Sequence, residues 1–217
     1  MTNDAGFDLA TVDRLLTTTR AVRKRLDFDR EVPLSVIMEC LDLAVQAPTG
    51  NNLQTWRWLV ITSPEVKSAL ADLYRLGPPK PPDGAPVAEL KSRLDPEAQE
   101  RMSASTSHLY EHLHRIPVMV VPCVEGVGGA AGWQPSIYPA VWSFILALRS
   151  RGLGTVITTS HLYHRQEAKE LLGVPDGYEQ ACLLPVAYTI GTDFRPAADR
   201  KPARDVTFID RWGEPSA

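Results

Sequence analysis

Cysteine is scarce in this chain. Cys40, Cys123 and Cys182 are the only three among 217 residues, and no two share a metal-binding or redox spacing. That argues against a zinc site and a disulfide framework, and it fits a reducing, cytoplasmic setting. The three are expected to act as small buried hydrophobes. A basic excess is also missing: 23 Lys and Arg stand against 26 Asp and Glu, a formal net charge of −3. A nucleic-acid partner would want a whole cationic face, so none is expected. Long apolar runs are absent. The longest, Val141 to Leu148, is far too short to span a bilayer, and Met1 to Asp13 carries acids where a signal peptide would be apolar. No membrane partner is expected either. The glycines of Gly126 to Gly132 lack the GxGxxG order of a dinucleotide turn. His108 and His112 stand four apart but without a zincin glutamate, so surface histidines are expected there and no metal.

What remains is an ordinary globular composition, 44% hydrophobic and 23% charged, of a length for one domain over residues 1–217. Asp8 is placed to cap a first helix with Leu9, Val12, Leu15 and Leu16 as its stripe. Pro33 opens a second, whose expected buried face is Leu34, Ile37, Met38, Leu41 and Val45, and which stops before Pro48. Trp56 to Ile61 reads as a strand, and Ser63-Pro64-Glu65 as a helix start with Val66, Ala69, Leu70 and Leu73 inward. Five prolines between Gly77 and Pro86 forbid regular structure, so residues 77–106 read as a lid-like excursion. Pro117 to Val124 is expected to be a central strand. Ser136 to Arg151 is apolar on every side and expected to be buried all round or at a subunit interface. Cys182 to Ile190 reads as a strand that Pro185 consigns to an edge or a bulge. Residues 192–217 show little periodicity and form a tail that frays or wraps against something else.

Three stretches carry chemistry. Arg20-Ala21-Val22-Arg23-Lys24-Arg25 packs four cations into six residues, either a solvated helix end or a site for a small anion. Pro48-Thr49-Gly50-Asn51-Asn52-Leu53-Gln54 is a loop rich in amides and hydroxyls, either a plain connection or the lining of a flat heteroaromatic ligand. Gly152-Leu153-Gly154 leads through strand-like Val156 and Ile157 to the polar end Thr158-Thr159-Ser160, its glycines permitting a close backbone approach.

Together with Arg200-Lys201-Pro202, these stretches resemble the motifs of the flavin-dependent nitroreductase family, in the family's order, from about Thr19 to about Arg204. The family's motifs are an Arg-Arg-Ser-Val-Arg opening, an Ala-Pro-Ser-Gly-x-Asn-x-Gln-Pro-Trp loop, a Gly-Leu-Gly before a polar strand end, and a C-terminal Arg-Lys-Pro. The last third is also close to the deiodinase-like branch. The resemblance implies an α+β fold with a mainly antiparallel sheet of four or five strands flanked by helices, in an intertwined homodimer. It implies an FMN site with Arg20, Ala21, Arg23 and Arg200 at the phosphate, Pro48, Thr49, Gly50, Asn52 and Gln54 along the flavin, and Thr158 and Thr159 by its ring. Thr19 and Ala21 stand where the family has arginine and serine, which removes donors worth roughly 1 kcal/mol or more each. The implied activity is electron transfer from NAD(P)H to a small nitroaromatic or quinone-like acceptor by ping-pong kinetics, with no catalytic side chain. The alternatives are reductive dehalogenation, flavin fragmentation, or a non-enzymatic flavin-sequestering protein.

Overall fold

A computed structural model describes residues 6–77, 95–126, 136–197 and 200–213. The chain falls into two compact units: Arg20–Thr192, and a second made of the residues up to Thr19 with those from Asp193 on.

The larger unit is built on a five-stranded sheet in which every pairing is antiparallel. The strands are β1 (Trp56–Ile61), β2 (Val118–Glu125), β3 (Leu153–Gly154), β4 (Tyr178–Gln180) and β5 (Leu184–Tyr188). The order is β1-β2-β5-β3, and β4 pairs with the other end of β2. β2 is the centre, as the unbroken apolar run of its sequence requires: Val118 to Val124 are all buried, which only a strand covered on both faces permits. Its alternate residues Val118, Val120 and Val124 join one hydrophobic cluster with α2 (Leu34–Ala44) and α5 (Ile137–Ser150). Met119, Val121 and Cys123 point to the opposite face, where Cys123 senses the charge of Lys169 on α6 (Arg165–Leu172). α3 (Pro64–Leu76) packs against α6, and α4 (Pro96–His112) follows on from it. α5 buries Ile137, Val141, Phe144, Ile145 and Leu148, but in the single chain it is not buried all round, since Tyr138 and Trp142 are each 43% exposed.

Three local expectations change. On α2 the buried set is Ile37, Cys40, Leu41 and Ala44, while Leu34 and Met38 are each 52% exposed. The apolar residues of α2 cover more than one face, and packing against α5 selects the stripe. On α3 the buried set is Leu70, Ala71 and Tyr74, one position round from the expected face, with Val66, Ala69 and Leu73 half-buried. β5 is an interior strand despite Pro185, which lies opposite Met119. The N–H groups of Leu183 and Thr189 point to the β3 side, where they bond Thr158 O and Gly152 O. Donors alternate along a strand, so the N–H that Pro185 lacks falls on that same side. β3 accordingly stops at Gly154 and pairing resumes only at the Thr158–Leu183 bridge, so Val156 and Ile157 are not a paired strand.

In the smaller unit, α1 (Leu9–Thr18) begins after Asp8 and buries only Thr18. Leu9 and Leu16 of the expected stripe are exposed, and so are residues 200–213 of the tail, where the Phe208 and Trp212 rings meet tilted, with centroids 4.8 Å apart. Most of the expected lid (78–94), most of the glycine loop (127–132) and the tail residues 198–199 and 214–217 lie outside the described residues. Among the described residues, no helix is long and apolar enough to cross a membrane.

Candidate functional site

The cationic stretch is not a helix end. α1 stops at Thr18, and the chain from Arg20 on is irregular, turning over Arg23 to Arg25 beside the end of the sheet. Val22 N–H donates to Thr155 O (2.9 Å), Leu26 bridges Thr189, and Arg25 Nε donates to Ile190 O (2.8 Å). Val22 is buried against Gly154, where a side chain would collide: an ideal Cβ would sit 3.0 Å from Val22 Cβ and 2.7 Å from Thr189 Cγ2. Of the two glycines before the polar strand end, Gly154 is therefore the one that permits the close approach.

This threading delivers Arg23 to a half-buried position near Tyr74. Burial pulls the Arg23 pKa down, and the only charge effect opposing it comes from the Tyr74 phenol. No carboxylate among the described residues pairs with Arg23. A half-buried guanidinium facing a neutral phenol has five donors and no anion, which suits a phosphate.

Thr158 is held from two sides. Its backbone exchanges hydrogen bonds with Leu183 (3.0 and 2.8 Å), and its Oγ1 lies 2.7 Å from the Tyr74 hydroxyl. Tyr74 is 1% exposed; burial raises its pKa, while bonds to Thr158 and Ser160 and the Arg23 charge oppose the rise. A second tyrosine repeats the pattern: Tyr110 OH is 2.7 Å from Ser160 Oγ, and its ring meets that of Tyr74 at 4.6 Å. Tyr110 also lines a cavity of about 690 Å³ on α4, with Gln99, Met102, Ser103, Thr106 and Glu111. Thr159 is exposed and opens on a smaller cavity of about 210 Å³ beside Tyr138, Arg165 and Gln180.

The amide loop holds three residues in the left-handed region. Asn51, Asn52 and Gln54 have φ of +51°, +54° and +49°, values that asparagine adopts readily and glutamine ordinarily avoids. Gln54 N–H donates to Thr49 Oγ1 (3.3 Å), Gln54 Nε2 to Asn52 Oδ1 (3.1 Å), and Gly50 N–H to Ser136 Oγ (3.4 Å). These bonds leave the Asn52 amide nitrogen and the Gln54 carbonyl on exposed side chains, one donor and one acceptor. Pro48 and Gly50 are exposed beside them.

The structure thus brings Arg23 and Thr158 together through Tyr74, while the contacts of Thr49, Gly50, Asn52 and Gln54 run among themselves and to Ser136. Arg20 and Ala21 lie exposed at the start of the same cationic stretch, and Arg200 is exposed in the smaller unit. Tyr74 and Tyr110 went unread in the sequence. The signal available was a tyrosine inside an apolar helical stripe, since a buried phenol needs a partner for its hydroxyl. The histidine pair is half-exposed rather than free in solvent: His108 and His112 stack on Phe28 at 5.8 and 5.6 Å and on each other at 4.4 Å. His161 is fully buried with neither ring nitrogen hydrogen-bonded, and burial drives its pKa down to about 4 against the opposing Gln180 amide. All three cysteines are buried, and Cys123 and Cys182 are pushed up to about 11 and about 12, so neither is a ready nucleophile.

An antiparallel five-stranded sheet between helical layers, with a cation and hydroxyls gathered at its edge, defines a nitroreductase-like α+β protein. The chain belongs to the Nitroreductase family, whose model matches residues 16–188. It is 25% identical over 196 residues to human iodotyrosine deiodinase 1, covering 87% of this chain and 64% of that protein. It is 26% identical over 200 residues to the 4-nitrobenzoate reductase of Pseudomonas putida, covering 81% of this chain and 84% of that one. The chain spans 54% of the Drosophila melanogaster deiodinase it also matches. The crystal structure of the FMN-dependent nitroreductase NfnB of Mycobacterium smegmatis in complex with NADPH shares the fold at TM-score 0.68 and 19% identity, over 94% of this chain and all of that one. An iodotyrosine deiodinase bound to FMN and 3-iodo-L-tyrosine does so at 0.66 and 22%, over 88% and 95%.

Proposed function

We propose that this protein is an FMN-dependent oxidoreductase that passes electrons from NAD(P)H to a small nitroaromatic or quinone-like acceptor by ping-pong kinetics. The observation that carries it is Arg23: a half-buried cation that pairs with no carboxylate among the described residues, set beside the Tyr74–Thr158 pair, in a chain of this family. Bound FMN supplies the hydride and electron chemistry. The protein's own part is to hold, orient and exclude. Arg20, Arg23 and Arg200 neutralise the phosphate, and Ala21 leaves one hydroxyl donor fewer there than the family motif has. Pro48, Thr49, Gly50, Asn52 and Gln54 line the flavin, and Thr158 and Thr159 donate to its ring.

The single chain keeps the Arg23–Thr158 cluster and the amide loop to separate contacts, and it exposes Leu34, Met38, Tyr138 and Trp142 on α2 and α5. Both features suit a homodimer in which each site draws on two subunits. Phe208, Ile209 and Trp212, all exposed, give the tail apolar residues with which to wrap the partner. Residues 1–217 are then one FMN-binding domain in a cytoplasmic enzyme, and the cavity on α4 receives the acceptor.

A second reading, reductive dehalogenation, is favoured by the deiodinases among the relatives. One experiment separates the two. Purified protein reconstituted with FMN is titrated anaerobically with NADPH and with NADH, then offered a nitroaromatic or an iodophenol. Bleaching of the flavin by a nicotinamide and its return on adding the nitro compound support the first reading. A flavin that bleaches only with dithionite, followed by iodide release, supports the second. A flavin that binds tightly and accepts no electrons points to sequestration.

A further inference from the structure

We infer that Tyr74 is a positioning residue for the flavin site: its phenol donates to Thr158 Oγ1 and thereby fixes the Thr158 hydroxyl as a hydrogen-bond donor to the cofactor. The inference rests on the flavin reading above and extends it to a residue that never touches the flavin.

Tyr74 completes the buried face of α3 with Leu70 and Ala71, where phenylalanine would fill the same volume without burying a hydroxyl. The hydroxyl therefore needs a use, and its partner at 2.7 Å is Thr158 Oγ1. Either hydroxyl can donate across that bond. The Arg23 charge acts on Tyr74 and draws the phenol lone pairs toward the cation and toward the Ser160 hydroxyl, which favours the phenol as donor and Thr158 as acceptor. Burial keeps that proton on the phenol.

Thr158 then has one free donor. Its backbone N–H and C=O are both taken by Leu183, and its side-chain oxygen is accepting from Tyr74, so the hydroxyl proton is what remains. The backbone bridge holds Cα, and the phenol holds the side-chain rotamer. The Tyr74 ring is itself buttressed by Tyr110, tilted at 53° and anchored to Ser160 at 2.7 Å, so the phenol cannot swing away.

The test compares FMN-loaded wild type with Tyr74→Phe, Thr158→Val and the double variant. The readouts are the visible flavin spectrum, the midpoint potential of the bound flavin and the FMN dissociation constant. Tyr74→Phe should shift spectrum and potential in the same direction as Thr158→Val, and the double variant should match Thr158→Val alone. FMN affinity should fall by about fivefold, the scale of one neutral hydrogen bond. Thr158→Ser, which keeps the hydroxyl, should behave as wild type. A Tyr74→Phe protein with wild-type spectrum and potential overturns the inference, as does strict additivity with Thr158→Val. A Tyr74→Phe chain that fails to fold assigns Tyr74 to stability and also counts against it. Wild type that takes up no FMN fails at an earlier stage, overturning the flavin reading and this inference with it.

Discussion

Gly154 lies so close to Val22 that a β-carbon on it would sit 3.0 Å from Val22 Cβ and 2.7 Å from Thr189 Cγ2. The contact is one of the points at which the cationic stretch is fastened to the sheet, beside the Val22–Thr155 hydrogen bond and the Leu26–Thr189 bridge, and it helps to place Arg23 near Tyr74. Gly154→Ala should therefore cost about 1–3 kcal/mol, the scale of overpacking, measured by urea unfolding. It should also weaken FMN binding by displacing Arg23. Gly152→Ala makes a useful contrast, since nothing lies within 4 Å of its Cβ and the penalty comes from φ of +76° alone.

Arg23→Ala should weaken FMN binding by roughly 1.5–3 kcal/mol, about 10- to 150-fold, the range for a charge-assisted bond. Flavin fluorescence quenching measures it. The apo-protein should melt no lower than wild type, because the substitution removes a half-buried cation that has no carboxylate partner among the described residues. A drop in apo stability would show that Arg23 is structural.

His161 makes stability pH-dependent. Its folded pKa, about 4, lies below the ordinary 6.5, so the unfolded chain binds the extra proton first as pH falls. Stability is full above about 6.5 and is lost progressively toward pH 4, by about 3 kcal/mol for a shift of this size. His161→Leu should flatten the unfolding free energy between pH 7 and 4 relative to wild type. His108 is depressed in the same direction, by burial and then by His112 and Lys24, so some slope should persist.

Light scattering at micromolar concentration should give twice the chain mass. Trp142→Glu, on the exposed face of α5 (43% exposed), should shift the protein toward monomer and lower its FMN affinity in parallel. A monomeric wild type that still binds FMN would sink the shared-site proposal.

Periodicity and punctuation made much of the architecture legible. The β-branched run of β2 required burial on both faces, and Ser63 and Gly173 mark helix ends where the structure has them; α5 packs one apolar face inward and leaves Tyr138 and Trp142 exposed. Pro185 misled. A missing N–H forbids one ladder bond, and the chain meets that by interrupting the short β3 while β5 stays inside the sheet. The inward faces of α2 and α3 also needed the structure, because each helix has more apolar positions than one neighbour can cover.

The site divides along the same line. Sequence alone determined its chemical parts, since cations, amides and hydroxyls at fixed spacings are local properties of the chain. It could not decide which part meets which, because that depends on contacts between residues far apart in the chain. The Tyr74–Thr158 pair spans 84 positions, and Val22 reaches Thr155 only after the sheet has formed. Tertiary structure decided that the phenol of a core helix, a guanidinium from an irregular turn and a hydroxyl at a broken strand end converge. The physical reason is desolvation: burying those three groups is tolerable only where each finds the others or a bound anion.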